Sequence, residues 1–129
     1  MKKTESGQAL IILIFAIGLS ITILTGVTLT AVTLAKNTFL TETSQTTFYA
    51  AESGVEYGLM KLIRTPSGCG APVDSLTIGS STVTVSYSLV GSVCTIAVTS
   101  TNNTIVKKVQ VQATISGSKV TYCCWKELP

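Results

Sequence analysis

The sequence predicts an α+β chain, a long N-terminal α-helix packed on a small antiparallel β-meander, from three observations. No charge occurs between Glu5 and Lys36, so residues 6–35 form one uncharged run. Phe48, Ala51, Val55, Leu59 and Leu62 then recur at intervals of three and four, one apolar stripe at helical period. From about residue 75 apolar residues fall at every second position, the period of a half-buried strand.

The first element is the apolar helix. Charged residues make up 12% of the 129-residue chain, about half the share in a typical soluble domain, and the deficit is concentrated here. Residues 9–35 read ALIILIFAIGLSITILTGVTLTAVTLA, and about 20 apolar residues in a helix cross a bilayer core. Lys2 and Lys3 precede the segment, with Lys36 alone close behind. The excess of positive charge before the segment places the N-terminus in the cytoplasm and the C-terminal part outside, a single pass through the inner or cytoplasmic membrane. A cleaved secretory signal is a poorer fit. Its apolar core runs about 7–15 residues and ends in a small-x-small site, whereas this run is longer and its best site, Thr33-Leu34-Ala35, is weak. A plain single-pass anchor carrying a small extracytoplasmic binding domain fits the hydropathy equally well.

After residue 35 the pattern stays helical as an amphipathic continuation over residues 36–65. Glu42, Glu52, Glu56, Lys61 and Arg64 lie off the apolar stripe, toward solvent. Proline is absent until Pro66, which stops the helix together with Gly68 and Gly70. A helix over residues 9–64 has a length on the order of 80 Å at about 1.5 Å per residue. Gly18 and Gly26, with Val27 to Thr30, weaken its middle, since glycine costs about 1 kcal/mol against alanine in a helix interior. Small residues there also permit close contact between helices in a membrane.

Residues 66–129 form the β domain. Val83, Val85, Tyr87 and Leu89 alternate with Thr and Ser, and Cys94, Ile96 and Val98 continue the pattern. Ile105, Val109, Val111, Ala113 and Ile115 share one face of a further strand. Leu76 and Ile78 mark a short first strand, and Val120 and Tyr122 a last one. Turns are expected at Gly79-Ser80-Ser81, Gly91-Ser92, Asn102-Asn103 and Gly117-Ser118. A meander of four or five strands cannot bury its apolar face alone, and the stripe of residues 48–62 is its natural cover. Trp125 is expected as a lid on that core.

Four cysteines, Cys69, Cys94, Cys123 and Cys124, all follow the apolar segment, which points to an oxidising compartment and a disulfide, with buried free thiols as the alternative. They permit three connectivities. The pair Cys123–Cys124 is not expected to bridge to itself, because that ring is strained. Cys69 with Cys94 is the preferred pairing, clipping the segment after the helix onto the sheet. With no C-x-x-C pair and no histidine, no metal site is expected. No phosphate loop is present, Asp74 is the lone aspartate, and the many serines lack a base to activate them. Glu52 and Glu56, one turn apart, read as solvated helix residues. The chain therefore reads as a non-enzyme without a cofactor, and its scattered lysines leave a nucleic-acid patch open without arguing for one.

Two motifs carry a family resemblance. The segment KKTESG/QALIILIFAIGL, a basic leader ending at Gly7 with the apolar run opening at Gln8, resembles the processing site of prepilins. Downstream, FYAAESGVEYGLMKLIR, with Ala50-Ala51-Glu52-Ser53-Gly54, is similar to the helix continuation of PilX-like minor pilins and pseudopilins. The resemblance covers residues 1–64. It implies a leader at 1–7 removed by a prepilin peptidase, a transmembrane and filament-core helix at 8–35, and partner pilin subunits bound helix to helix in a cell-surface filament. It also implies a pilin-like fold, in which a stretch near the middle of the helix melts in the assembled filament. Two departures narrow it. The glutamate that major pilins carry at the fifth mature position falls on Ile12, as in the tip pseudopilin of type II secretion systems, which favours a minor or tip subunit. The first mature residue is Gln8, where Phe or Met is usual.

Overall fold

The computed structural model describes residues 5–129, with side chains from Gly7 onward. Lys2 and Lys3 of the expected leader lie outside the described residues. The helix α1 spans Glu5–Arg64, and five strands follow: β1 Asp74–Ile78, β2 Ser81–Val90, β3 Val93–Asn102, β4 Ile105–Ser116 and β5 Lys119–Leu128. A short 3-10 turn, Pro66–Gly68, separates α1 from β1. The chain divides after Leu40 into two units.

In the first unit, up to Leu40, α1 is helical without interruption through Gly18 and Gly26.

The second unit, Thr41–Pro129, holds the remainder of α1 and the sheet. The strands pair antiparallel in sequence order, β1-β2-β3-β4-β5. Such a meander needs only tight turns. Gly79, Gly91, Asn103 and Gly117 each open a two-residue turn with φ between 53° and 62°, the left-handed geometry that suits the twist of the flanking strands. One face of the sheet is apolar, built from Val83 and Val85 on β2, Cys94, Ile96 and Val98 on β3, and Val109, Val111 and Ala113 on β4. Ala50, Ala51, Val55, Leu59 and Leu62 of α1 complete this core. The helical stripe and the period-two strands thus bury one another, and truncating a side chain such as Leu62, 1% exposed, costs roughly 2–5 kcal/mol.

Three expectations change. Lys61 is not simply solvated: partly exposed, it pairs with Asp74 of β1. Trp125 is not a lid: it is 44% exposed, because α1 covers β2 to β4 while β5 lies at the sheet edge. Cys123 and Cys124 are bonded to each other. The ring closes because Cys124 takes a φ of 64°, where the two neighbouring side chains no longer point to opposite faces as in a regular strand.

Candidate functional site

The candidate site is α1 itself, and its two parts act differently. From Leu10 to Leu40 the large apolar side chains are exposed on every side of the helix, Phe15 at 76% and Leu29 at 69% among them. A helix apolar all round belongs in lipid or inside a packed assembly. It is long and apolar enough to cross a membrane. Its hydroxyls do not oppose that. Ser20, Thr22, Thr25, Thr28, Thr30, Thr33 and Thr38 each donate to the carbonyl four residues earlier. Hydroxyl donors satisfied within the helix carry a much smaller penalty in hydrocarbon. The Thr-rich second half of the segment is therefore compatible with an apolar surround. Gly7 and Gln8 lie in the first turns of α1, and Ile12 presents an exposed apolar side chain at 62%.

The second part, residues 47–62, is the spine of the β domain. Ala50 and Ala51 are buried at 4% and 0%. Gly54 sits closer still: a Cβ there would lie 2.6 Å from Val83 Cγ1 and 2.8 Å from Val98 Cγ1. At Gly58 the nearest atom would be Ile96 Cγ2, at 2.9 Å. Small residues in Ala50-Ala51-Glu52-Ser53-Gly54 bring the helix backbone down onto the sheet. Glu52 is partly exposed, Ser53 is exposed, and the Ser53 hydroxyl donates to Tyr49 O at 2.9 Å. The motif is a packing device on one side and a solvated face on the other. Thr47, fully buried and donating to Thr43 O at 2.7 Å, extends the same stripe by one turn. Its polarity hid it from a reading of apolar spacing. Ser81 and Ser100 are buried at the same end of the sheet, and Ser100 Oγ has no hydrogen-bond partner.

A polar cluster ties the end of the helix to β1 and β2. Lys61 Nζ lies 2.5 Å from Asp74 Oδ2, Tyr87 OH donates to the same oxygen at 3.1 Å, and the ammonium stands 5.5 Å from the Tyr87 ring centroid. The hydrogen bond from Lys61 holds the Asp74 carboxyl below its ordinary value of 3.8, against partial desolvation and with further help from Tyr87 and the lysine charge. Burial, then the adjacent carboxylate, pushes the Tyr87 phenol well above its ordinary 10.0. With the Asp74 value depressed in the fold, its contribution is complete above the unfolded value near 3.8 and is lost as pH falls through the lower folded value. Asp74→Ala is therefore expected to cost about 1 kcal/mol at pH 7, since the pair is partly exposed, and to cost clearly less at pH 2.5. Urea unfolding at the two pH values measures it; an equal loss at both would show that the ion pair contributes nothing.

Cys69 on the segment after the 3-10 turn bonds Cys94 on β3, with Cα atoms 6.0 Å apart. It fastens the chain leaving α1 to the centre of the sheet. Comparison with family models, curated proteins and solved structures returns no match.

Proposed function

We propose that this chain is a pilin-like structural subunit, a minor or tip component of a type IV pilus or a related secretion or uptake filament. The observation that carries the reading is the division of labour along α1. Residues 10–35 carry exposed large apolar side chains all round the helix, while residues 47–62 form the spine of a small β domain. Such a surface suits two successive surrounds, lipid before assembly and neighbouring helices after it. The Lys2-Lys3 leader ending at Gly7 supplies the processing step, a prepilin peptidase cutting before Gln8. Ile12, where bulk subunits carry a glutamate, supports a minor or tip position. On this reading the C-terminal domain faces outside the cytoplasmic membrane and then the cell exterior, where disulfides persist. The work is mechanical, with neither catalysis nor a cofactor.

The test is contact between neighbouring helices. A photo-crosslinking residue at Ile21, exposed at 58%, is placed in the chain expressed in cells that assemble type IV filaments. Crosslinks to apolar helices of pilin subunits are the expected result. A lone single-pass anchor with a binding domain gives crosslinks to lipid alone, and that result rejects the filament.

A further inference from the structure

β5 departs from regularity at one place. Its pairing with β4 runs from Ser116↔Lys119 to Gln112↔Cys123, then resumes as Gln110↔Lys126, Val109↔Glu127 and Lys108↔Leu128, one residue out of step. Cys124 and Trp125 together stand opposite Val111, a one-residue bulge. The Cys123–Cys124 disulfide lies in the same place. In a regular strand adjacent side chains point to opposite faces, so two neighbouring Sγ atoms can bond only where the strand abandons that alternation. Cys124 does so with φ 64°. Among the described residues it shares a positive φ outside glycine only with Asn103, and asparagine tolerates that region where cysteine does not. Both cysteines are exposed on the edge strand, whereas Cys94 of the other disulfide is fully buried.

We infer that Cys123–Cys124 is a redox modification site, open to dithiol reductants, that sets the register of the C-terminal strand. In the exchange, one thiolate of the dithiol attacks a cysteine Sγ, the bond between Cys123 and Cys124 breaks, and the departing thiolate takes a proton. The second thiol of the reductant then attacks the mixed disulfide and releases the other cysteine. The protein gains two electrons and two protons, and the dithiol becomes a disulfide.

With the bond open, nothing holds Cys124 in the left-handed region. The unbulged register extends the pairing seen from Ser116 to Gln112: Val111 with Cys124, Gln110 with Trp125 and Lys108 with Glu127. A slip of one residue moves each side chain beyond it to the other face. Glu127 then gives up Lys107, now 2.9 Å away, for Lys108 on the opposite face of β4. An electrostatic partner is available in either register, so the disulfide decides between them. The inference is independent of the filament reading.

The test uses the isotope-labelled full chain in detergent micelles, oxidised and after dithiothreitol, beside the Cys123→Ser/Cys124→Ser variant without reductant. Mapping of alkylated thiols is expected to show Cys123 and Cys124 opening before Cys69 and Cys94. Interstrand nuclear Overhauser contacts between Gln110 and Lys126 are expected to disappear on reduction and be replaced by contacts between Gln110 and Trp125. The variant should show the replaced set from the start, and dithiothreitol at the dose that opens only the exposed pair should leave it unchanged. The inference is overturned if the variant keeps the Gln110–Lys126 contacts, if the reduced wild type keeps them, or if Cys69 and Cys94 open first.

Discussion

Replacing Cys69 and Cys94 together by alanine is expected to lower the stability of the β domain by about 3.5 kcal/mol. The bond joins residues 25 apart in sequence, and closing a loop of that size removes roughly this much chain entropy from the unfolded state. The effect is large because the domain is small. Its core is one helix stripe against one face of a single sheet, and small cores leave little margin. At about 4–8 °C per kcal/mol for a domain of this size, the melting temperature falls on the order of 15–25 °C. Thermal melts followed by circular dichroism in detergent measure it. The Cys123→Ser/Cys124→Ser variant is the internal comparison: a bond between adjacent residues closes no chain loop, so its melting temperature should stay close to that of the parent. A drop of under about 5 °C for the Cys69/Cys94 variant would show that other contacts already fix the segment after α1.

Gly54→Val is expected to cost about 3 kcal/mol, at the upper end of overpacking effects. A Cβ alone would come within 2.6 Å of Val83 Cγ1 and 2.8 Å of Val98 Cγ1, closer than carbon atoms approach. Neither neighbour can swing aside, since both are β-branched and buried, Val83 at 0% and Val98 at 1%. The helix must lift from the sheet, which opens gaps around Ala51 and Val55. Gly18→Val is the control. Nothing lies within 4 Å of a Cβ there, and that site belongs to the other unit. Urea unfolding of the β domain should register the first substitution and not the second. Equal effects would mean that glycine at position 54 serves helix flexibility and not close packing.

The architecture was legible because two periodicities are strong. Ala51, Val55, Leu59 and Leu62 mark the buried side of α1 by spacing alone, and the alternation through Val83, Val85, Ile96 and Val98 marks the sheet face that meets it. The turns were legible from residues that accept positive φ, Gly79, Gly91, Asn103 and Gly117. What escaped depends on neighbours across the fold. Gly54 and Gly58 give no hydrophobic signal, although their positions beside the stripe, three and seven residues after Ala51, were the available clue. Lys61 looked solvated because its partner Asp74 comes from β1. Trp125 looked buried because its apolar bulk says so, but one helix is too narrow to cover a five-stranded sheet, and β5 is left at the edge. The Cys123–Cys124 bond was discounted because a ring between adjacent cysteines is strained, and the positive φ of Cys124 lets it close.

The apolar surface of residues 10–35 could be read directly from composition, since a run without charges needs no tertiary information. The internal hydrogen bonds of its Thr and Ser hydroxyls could not be read so directly, although Thr at intervals along an apolar helix is the pattern in which they form. The site therefore rests on sequence for its chemistry and on the fold for its division into a membrane-competent part and a domain spine.

The most direct test of a filament subunit is the identity of the mature N-terminus. The full chain is co-expressed with a prepilin peptidase, and its intact mass is measured. The expected result is loss of residues 1–7, leaving Gln8 as the first residue. An unchanged Met1 terminus, or cleavage near residue 35, would contradict it.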